Sequence, residues 1–154
     1  MQLLGHGFYW QDWSVGWSFK TLSRTIRGED VTGFTGMIGM TEELFTSDWY
    51  LEEHTKFTGR LVPGALVMSM AEGLVIPATI GRTGLAFLGC QVNVTGPTYA
   101  GDTIHVEGVV TEIKQASKGN RALVRTDHKV VNQNGDVVMT YDPLRMMKGD
   151  PKFD

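Results

Sequence analysis

The stretch PGALVMSMAEGLVIP, residues 63–77, decides the fold that the sequence predicts. Pro63 suits the first turn of a helix, where its missing N–H group is no loss. Apolar residues recur at intervals of three and four through 65–76, and the opposite side is nearly as apolar. A helix of this kind is expected to be buried, and Pro77 is expected to end it.

Alternating apolar and polar residues beyond this helix predict β-strands, because successive side chains of a strand point to opposite faces. Turn signals separate the runs, and Asn134-Gly135 is a strong hairpin signal. Three long antiparallel strands in a meander are predicted, and one further strand precedes them: 103–113, 121–133 and 136–141, preceded by 85–94.

These patterns predict the α+β class, with an antiparallel β-sheet wrapped around one long central helix. A second helix is predicted at 30–46, with Asp30 as its N-cap. No repeat, low-complexity tract or linker interrupts the sequence. Residues 1–154 are therefore expected to form a single domain.

The composition argues against several kinds of partner. The net charge is −3 and the 14 Lys and Arg residues are scattered, so nucleic acid is not an expected partner. The most apolar region, 61–90, is interrupted by Glu72, Pro77 and Arg82, which argues against a membrane span. Cys90 has no second cysteine to pair with, and the N-terminus lacks the pattern of a secretion signal. A cytoplasmic location is expected.

Four segments resemble, in order, the sequence pattern of one protein family. They are WQDWSVGWSFKTLSRTIRGEDVTGFTGMIG (10–39), FTGRLVPGALVMS (57–69), LAFLGCQVNVTGPTYAGDTIHVEGVV (85–110) and VVNQNGDVVM (130–139). With these segments the sequence is similar to the MaoC-like dehydratases of the hotdog-fold superfamily, the group of the (R)-specific enoyl-CoA hydratases.

The resemblance implies a hotdog fold that usually dimerises, so a homodimer or higher homo-oligomer is expected. It also implies an acyl-CoA or acyl-carrier thioester as substrate. CoA or phosphopantetheine is then part of the substrate, and no separate cofactor is expected. Family members that hydrate enoyl thioesters use an Asp and a His to orient a water for addition across the double bond, and the reverse reaction is dehydration.

The loop GMTEELFTSD, residues 39–48, departs from the family pattern at both of these positions. Alignment from Gly39 places Met40 in the Asp position and Phe45 in the His position. Alignment backwards from the next segment places Thr41 and Thr46 there instead. In either case the usual Asp/His pair is missing, and its loss removes a contribution of about 10²- to 10⁴-fold from each positioned acid or base.

Part of the site is retained at the start of the predicted central helix. Gly64 stands where the family has a glycine, and free backbone N–H groups there can receive the oxygen of a thioester carbonyl. Nearby polar groups are candidates to replace the missing pair. The predicted catalytic residues are Glu43, Glu42 and His54, and the predicted substrate-binding residues are Met40, Phe45, Trp49, Arg60, Pro63 and Gly64.

Three functions remain open from the sequence. The first is an acyl-thioester hydro-lyase, of the enoyl-CoA hydratase or 3-hydroxyacyl-CoA dehydratase type, with a non-standard active site. The second is a non-catalytic acyl-CoA-binding or accessory hotdog subunit, and the third is a hotdog acyl-CoA thioesterase. No metal site is expected, because no His or Cys pair has the spacing of metal ligands. Glu72 is expected to make a structural hydrogen bond across the dimer.

Overall fold

The computed structural model describes residues 1–153, which form four α-helices, eight β-strands and two short 3₁₀ helices. The α-helices are α1 (Gly28–Ile38), α2 (Glu43–Thr46), α3 (Asp48–His54) and α4 (Gly64–Thr79). The strands are β1 (Ser18–Lys20), β2 (Arg24–Thr25), β3 (Gly84–Gly89), β4 (Val92–Val94), β5 (Thr103–Gln115), β6 (Arg121–Val131), β7 (Val137–Tyr141) and β8 (Leu144–Lys148). The 3₁₀ helices are Trp10–Asp12 and Pro151–Phe153.

All strand pairs are antiparallel, and β5 and β6 form the centre of the sheet. One path runs in the order β1, β5, β6, β7, β4, while β2 also pairs with β5. The first half of β6 pairs with β8, which in turn pairs with β3. The sheet therefore divides beyond β6 into two arms, one ending at β4 and the other at β3.

Helix α4 packs one face against this sheet. Its buried positions meet apolar side chains of β5, β6 and β7, and the cluster also includes residues of α1. The helical members are Leu66, Val67, Met70, Ala71 and Val75, and the sheet members are Ile104, Val106, Val130, Val138, Met139 and Tyr141. An antiparallel sheet wrapped around one long helix is thus the observed architecture, and the predicted fold class is confirmed.

Two predictions about this helix are wrong in detail. The helix is not buried all round, because Ala65, Ser69, Gly73 and Ile76 are exposed on the face away from the sheet. It also continues past Pro77 to Thr79, and the N–H of Ile80 still donates to the carbonyl of Ile76 over 3.0 Å. Pro77 removes its own N–H group but leaves the later N–H groups free to bond, so the helix ends two residues further on.

The prediction of one strand over 85–94 is also wrong, since β3 and β4 are separate strands in different arms of the sheet. The break falls at Cys90 and Gln91, opposite the break between β7 and β8 at Asp142 and Pro143. The Gln91 N–H donates to Asp142 Oδ1 over 2.5 Å. The two breaks are therefore joined by this hydrogen bond.

The helix predicted at 30–46 is in fact two helices. Helix α1 begins earlier, at Gly28, and the Asp30 carboxylate accepts the Arg27 N–H over 2.8 Å from within the first turn. Asp30 is therefore not the N-cap. The helix ends at Gly39, whose φ of 73° is the left-handed conformation that glycine adopts readily. Within residues 1–153, none of the helices has the length and apolar character that crossing a bilayer requires.

Candidate functional site

A cleft of about 440 Å³ opens at the start of α4. Side chains of the loops before α4, of the helix itself and of both β4 and β7 form its wall. They include Phe45, Phe57, Leu61, Gly64, Val67, Val94, Thr95, Thr98 and Met139. Among residues 1–153, no Asp, Glu, His, Lys, Arg or Cys contributes to this wall. The cleft is therefore suited to an apolar ligand and carries no group that titrates near neutral pH.

The first turn of α4 presents unused backbone donors to this cleft. The Pro63 carbonyl accepts the N–H groups of Leu66 and Val67 over 2.9 and 3.1 Å. Within the described part of the chain, the N–H groups of Gly64 and Ala65 have no acceptor. They lie at the positive end of the helix dipole, where an oxygen that gains negative charge is stabilised.

Gly64 leaves little room for a side chain at this point. A Cβ atom there would lie 3.3 Å from Val94 Cγ2 and 3.9 Å from Met139 Cε. Glycine therefore keeps the first turn of the helix open to a ligand, because any larger residue would project between β4 and the helix. This is the structural reason for a glycine at the position where the sequence resembles the family motif.

The three predicted catalytic residues do not meet in this cleft. Glu42 is exposed and caps α2, since its carboxylate accepts the Leu44 N–H over 2.8 Å. Glu43 is exposed on the first turn of α2. His54 is exposed at the end of α3, where its ring lies edge-on to Trp49 at 5.2 Å between centroids. None of the three lines the cleft in a single copy of the chain.

The predicted substrate-binding residues divide into two groups. Phe45 and Gly64 lie in the cleft wall. Pro63 is buried directly before the helix, and Trp49 is 62% exposed beside His54. The remaining two, Met40 and Arg60, lie outside the wall as well. The sequence did not predict Phe57, Val94 and Met139 as wall residues. Phe57 lies in an irregular loop. Val94 and Met139 come together at the cleft only because β4 pairs with β7.

A cluster of polar side chains lies beneath α4, away from the cleft. Glu72 accepts hydrogen bonds from Arg145 Nη2, at 2.6 and 2.5 Å, and from the Tyr141 hydroxyl, at 2.9 Å. The side chains of Glu72 and Arg145 are 14% and 9% exposed. The expectation that Glu72 bonds across a dimer is corrected by this finding, because its partners lie in the same chain. No pattern in the sequence predicts that Arg145, in the last strand, contacts this helix.

His128 packs against Tyr141 of this cluster, and its burial keeps it neutral. Burial lowers the pKa of His128 to about 3, and the positive charge of Arg145 acts in the same direction. Its Nε2 lies 2.9 Å from Thr126 Oγ1, and its ring lies edge-on to Tyr141 at 4.6 Å. Burial raises the pKa of the Tyr141 hydroxyl, and the charge of Glu72 raises it further. The cluster therefore packs as a structural unit around one ion pair.

Comparison with known families decides the affiliation of the chain. Residues 14–141 match the family described as FAS1-like, dehydratase domain region. The chain belongs to the FAS1-like dehydratase family. This match and the hotdog fold confirm the predicted relationship to MaoC-like dehydratases. A comparison of the chain with curated proteins found no significant match.

Solved structures share the fold of this chain at low sequence identity. A MaoC-like dehydratase from Rhodospirillum rubrum has a TM-score of 0.82 at 23% identity, covering 94% of this chain and 99% of its own. The R-hydratase PhaJ1 from Pseudomonas aeruginosa has a TM-score of 0.78 at 24% identity, covering 94% and 88%. A Mycobacterium tuberculosis protein with a double hotdog fold has a TM-score of 0.87 at 18% identity, covering 99% of this chain and 47% of its own.

The chain exposes an apolar face on β3 and β4. On β3, Leu85, Phe87 and Leu88 are 46%, 48% and 52% exposed, and Val94 on β4 is 63% exposed. Strand β3 pairs only with β8 among the described strands, so one of its edges is open. Monomeric proteins rarely leave large contiguous apolar patches exposed. Because Val94 also lines the cleft, a partner bound to this face would border the cleft.

Proposed function

We propose that this chain binds an acyl thioester of CoA or of a carrier protein in the cleft at the start of α4, for the hydration or dehydration chemistry of its family. The observation that carries the proposal is the pair of free N–H groups, on Gly64 and Ala65, at the apolar cleft. Two backbone donors at a helix N-terminus suit a thioester carbonyl, whose oxygen becomes more negative as an enolate forms. The apolar wall suits the acyl chain.

The composition of the wall favours a binding role over catalysis by one chain alone. Addition of water to an enoyl thioester needs a group to accept and a group to deliver a proton. The cleft wall supplies neither, and Glu42, Glu43 and His54 lie outside it. We infer that this chain holds and polarises the thioester, as an accessory subunit does, and that a different protein, not a second copy of this chain, contributes the proton-transferring pair. With one Cys and no disulfide, we place this function in the cytoplasm.

We expect the purified chain to bind crotonyl-CoA without hydrating it. Binding is measured by isothermal titration calorimetry, and hydration by loss of the enoyl absorbance. Glu43→Gln is expected to leave the affinity unchanged, since Glu43 does not line the cleft. Release of free CoA thiol is followed in parallel and is expected to be absent, because no carboxylate reaches the cleft to activate water. Failure to bind crotonyl-CoA or any longer acyl-CoA would refute the proposed function.

Hydration by the wild type alone, lost in Glu43→Gln, would instead establish the hydro-lyase with a non-standard site. Thiol release would establish the thioesterase. Each of the three functions thus gives a different combination of binding, enoyl loss and thiol release.

We further expect the chain to form a homodimer through the apolar face of β3 and β4. Leu88→Glu places a charge in that face and is expected to give monomers, because an unpaired charge cannot be buried without a large penalty. Leu22→Glu is the matched control, since Leu22 is 88% exposed and lies between β1 and β2, which pair with β5 and not with β3. Sedimentation velocity measures both. A wild type that sediments as a monomer, or a dimer that persists in Leu88→Glu, would contradict the assignment.

A further inference from the structure

The segment that carries Phe45 into the cleft wall has little structure of its own. It begins after Gly39 and contains α2, which spans only four residues. The Phe45 N–H donates to the Glu42 carbonyl over 3.0 Å, a bond within the segment. A helix of one turn is not stable by itself, because nucleation fixes several residues for a single hydrogen bond. The position of the Phe45 ring therefore depends on contacts made from outside the segment.

Arg60 makes contacts of this kind. Its Nε donates to the Phe45 carbonyl over 3.3 Å, its Nη1 to the Gly28 carbonyl over 3.2 Å, and its Nη2 to Thr32 Oγ1 over 2.9 Å. The guanidinium group thus joins α2 to the first turn of α1. Its own backbone is held as well, since the Arg60 carbonyl accepts the Ala100 N–H over 2.9 Å.

The three nitrogens of Arg60 are already engaged by oxygens of the protein. Within residues 1–153, Arg60 has no ion pair, and it does not line the cleft. This arrangement uses the planar fork of arginine, which reaches separate acceptors at once, rather than its charge alone. A lysine at this position would have one nitrogen and would not hold all three acceptors in place.

Phe45 and Phe57 both contribute to the wall of the cleft, and both lie on the chain segments before α4. Phe57 is 41% exposed, and Phe45 is half-buried. The volume of about 440 Å³ lies in the lower half of the range of about 300–1,000 Å³ that is usual for small-molecule sites. The two aromatic rings take up part of this small apolar cleft and border the space left for an acyl chain.

We propose that Arg60 is a positioning residue that fixes Phe45 in the cleft wall, and that Phe45 thereby restricts the site to short acyl groups. The inference rests on the proposed function, because it names the class of thioester that this cleft accepts. It replaces direct substrate binding as the role of Arg60. Loosening the segment around α2 withdraws the Phe45 ring and admits longer chains, whereas the contacts of the thioester carbonyl remain unchanged.

The test compares Phe45→Ala and Arg60→Lys with the wild type and with Arg121→Lys. Arg121 is a matched control because it is an exposed arginine whose Nε bonds a single carbonyl, that of Lys118, at 3.2 Å. Calorimetry gives the Kd of butyryl-CoA and of decanoyl-CoA for each protein. Hydrogen exchange of the amides in Glu43–Ser47 is measured without ligand, so it reports the positioning role independently of thioester binding.

Phe45→Ala is expected to raise the affinity for decanoyl-CoA relative to butyryl-CoA by at least about tenfold, since each further buried methylene adds apolar contact. Arg60→Lys is expected to shift the ratio in the same direction by several-fold and to speed exchange of the amides in Glu43–Ser47. Arg121→Lys is expected to change neither quantity. Phe45→Ala keeps the Arg60 contacts to the backbone, so it tests chain length even if Arg60→Lys folds poorly.

Three results would overturn the inference. Unchanged exchange in Arg60→Lys would refute the positioning role, and an unchanged affinity ratio in Phe45→Ala would refute the restriction on chain length. Equal weakening of both affinities in Arg60→Lys would show that Arg60 contacts the CoA part of the ligand. Absence of any acyl-CoA binding by the wild type would refute the proposed function itself, and hydrogen exchange would still decide the positioning role.

Discussion

Glu72→Ala is expected to destabilise the protein by about 3–5 kcal/mol, the usual effect of removing one partner of a buried ion pair. The change leaves Arg145, which is 7% exposed, without its carboxylate. It also removes the acceptor of the Tyr141 hydroxyl, which is buried with its ring against His128. Neither group can reach bulk water in place, so the folded state retains the full desolvation penalty of the cation. Urea denaturation followed by circular dichroism measures the free energy of unfolding.

Glu112→Ala is the matched control for this prediction. Glu112 also faces an arginine, Arg125, but at 3.9 Å and with its side chain 59% exposed. Solvent screens such a pair, and its loss is expected to change the unfolding free energy by less than about 1 kcal/mol. The double variant Glu72→Met with Arg145→Met is expected to recover most of the stability lost in Glu72→Ala, because no charge is then left buried. Equal effects of the two alanine variants would show that the pair under α4 is not buried in solution.

Gly64→Val is expected to weaken acyl-CoA binding by at least about 10-fold, the lower end of the effect of one extra methylene in a tight apolar pocket, because valine adds three carbons. A Cβ at this position already lies 3.3 Å from Val94 Cγ2, and the two methyl groups of valine extend further. They enlarge the cleft wall at the residue that carries one of the two free N–H groups, near the position proposed for the thioester carbonyl. Gly64→Ala is expected to give a smaller effect, because Val94 is exposed and can shift. Calorimetric titration with crotonyl-CoA measures both.

Gly33→Val controls for the effect of a β-branched residue in a helix. Gly33 lies in α1, and a Cβ there meets no atom within 4 Å. This variant is expected to bind crotonyl-CoA as the wild type does. Thermal unfolding of all three variants separates a filled cleft from a damaged fold. Wild-type affinity in a folded Gly64→Val protein would show that the ligand is not seated at the start of α4.

Sequence patterns were sufficient for the parts of the fold that depend on local periodicity. The run at 63–77 predicts the central helix, and the alternation at 103–113 and 121–133 predicts the two long strands at the centre of the sheet. Local sequence patterns were not sufficient to predict the bounds of a strand where pairing with other strands determines them. The single strand predicted at 85–94 is divided because β7 and β8 diverge at Pro143, and the pattern of residues 85–94 contains no trace of that break.

The same division applies to the candidate site. Gly64 and Phe45 were found from motif positions, and both lie in the cleft. Glu42, Glu43 and His54 were chosen for closeness in sequence, but α2 and α3 direct them to solvent. Sequence spacing does not determine the direction of a side chain in a short helix, because that direction depends on how the helix is held. Here the contacts from Arg60 hold the segment.

By itself, the sequence determined a helix of mostly apolar residues beginning at Pro63, a long antiparallel sheet and the absence of the usual Asp/His pair. Each of these follows from a pattern of residues that are close together in the sequence. Only the tertiary structure decided that Glu72 pairs with Arg145, that one face of α4 stays open, and that the cleft is lined by apolar groups. These features join residues far apart in the chain. Their energies arise from burial and desolvation, which exist only once the sheet has closed over the helix.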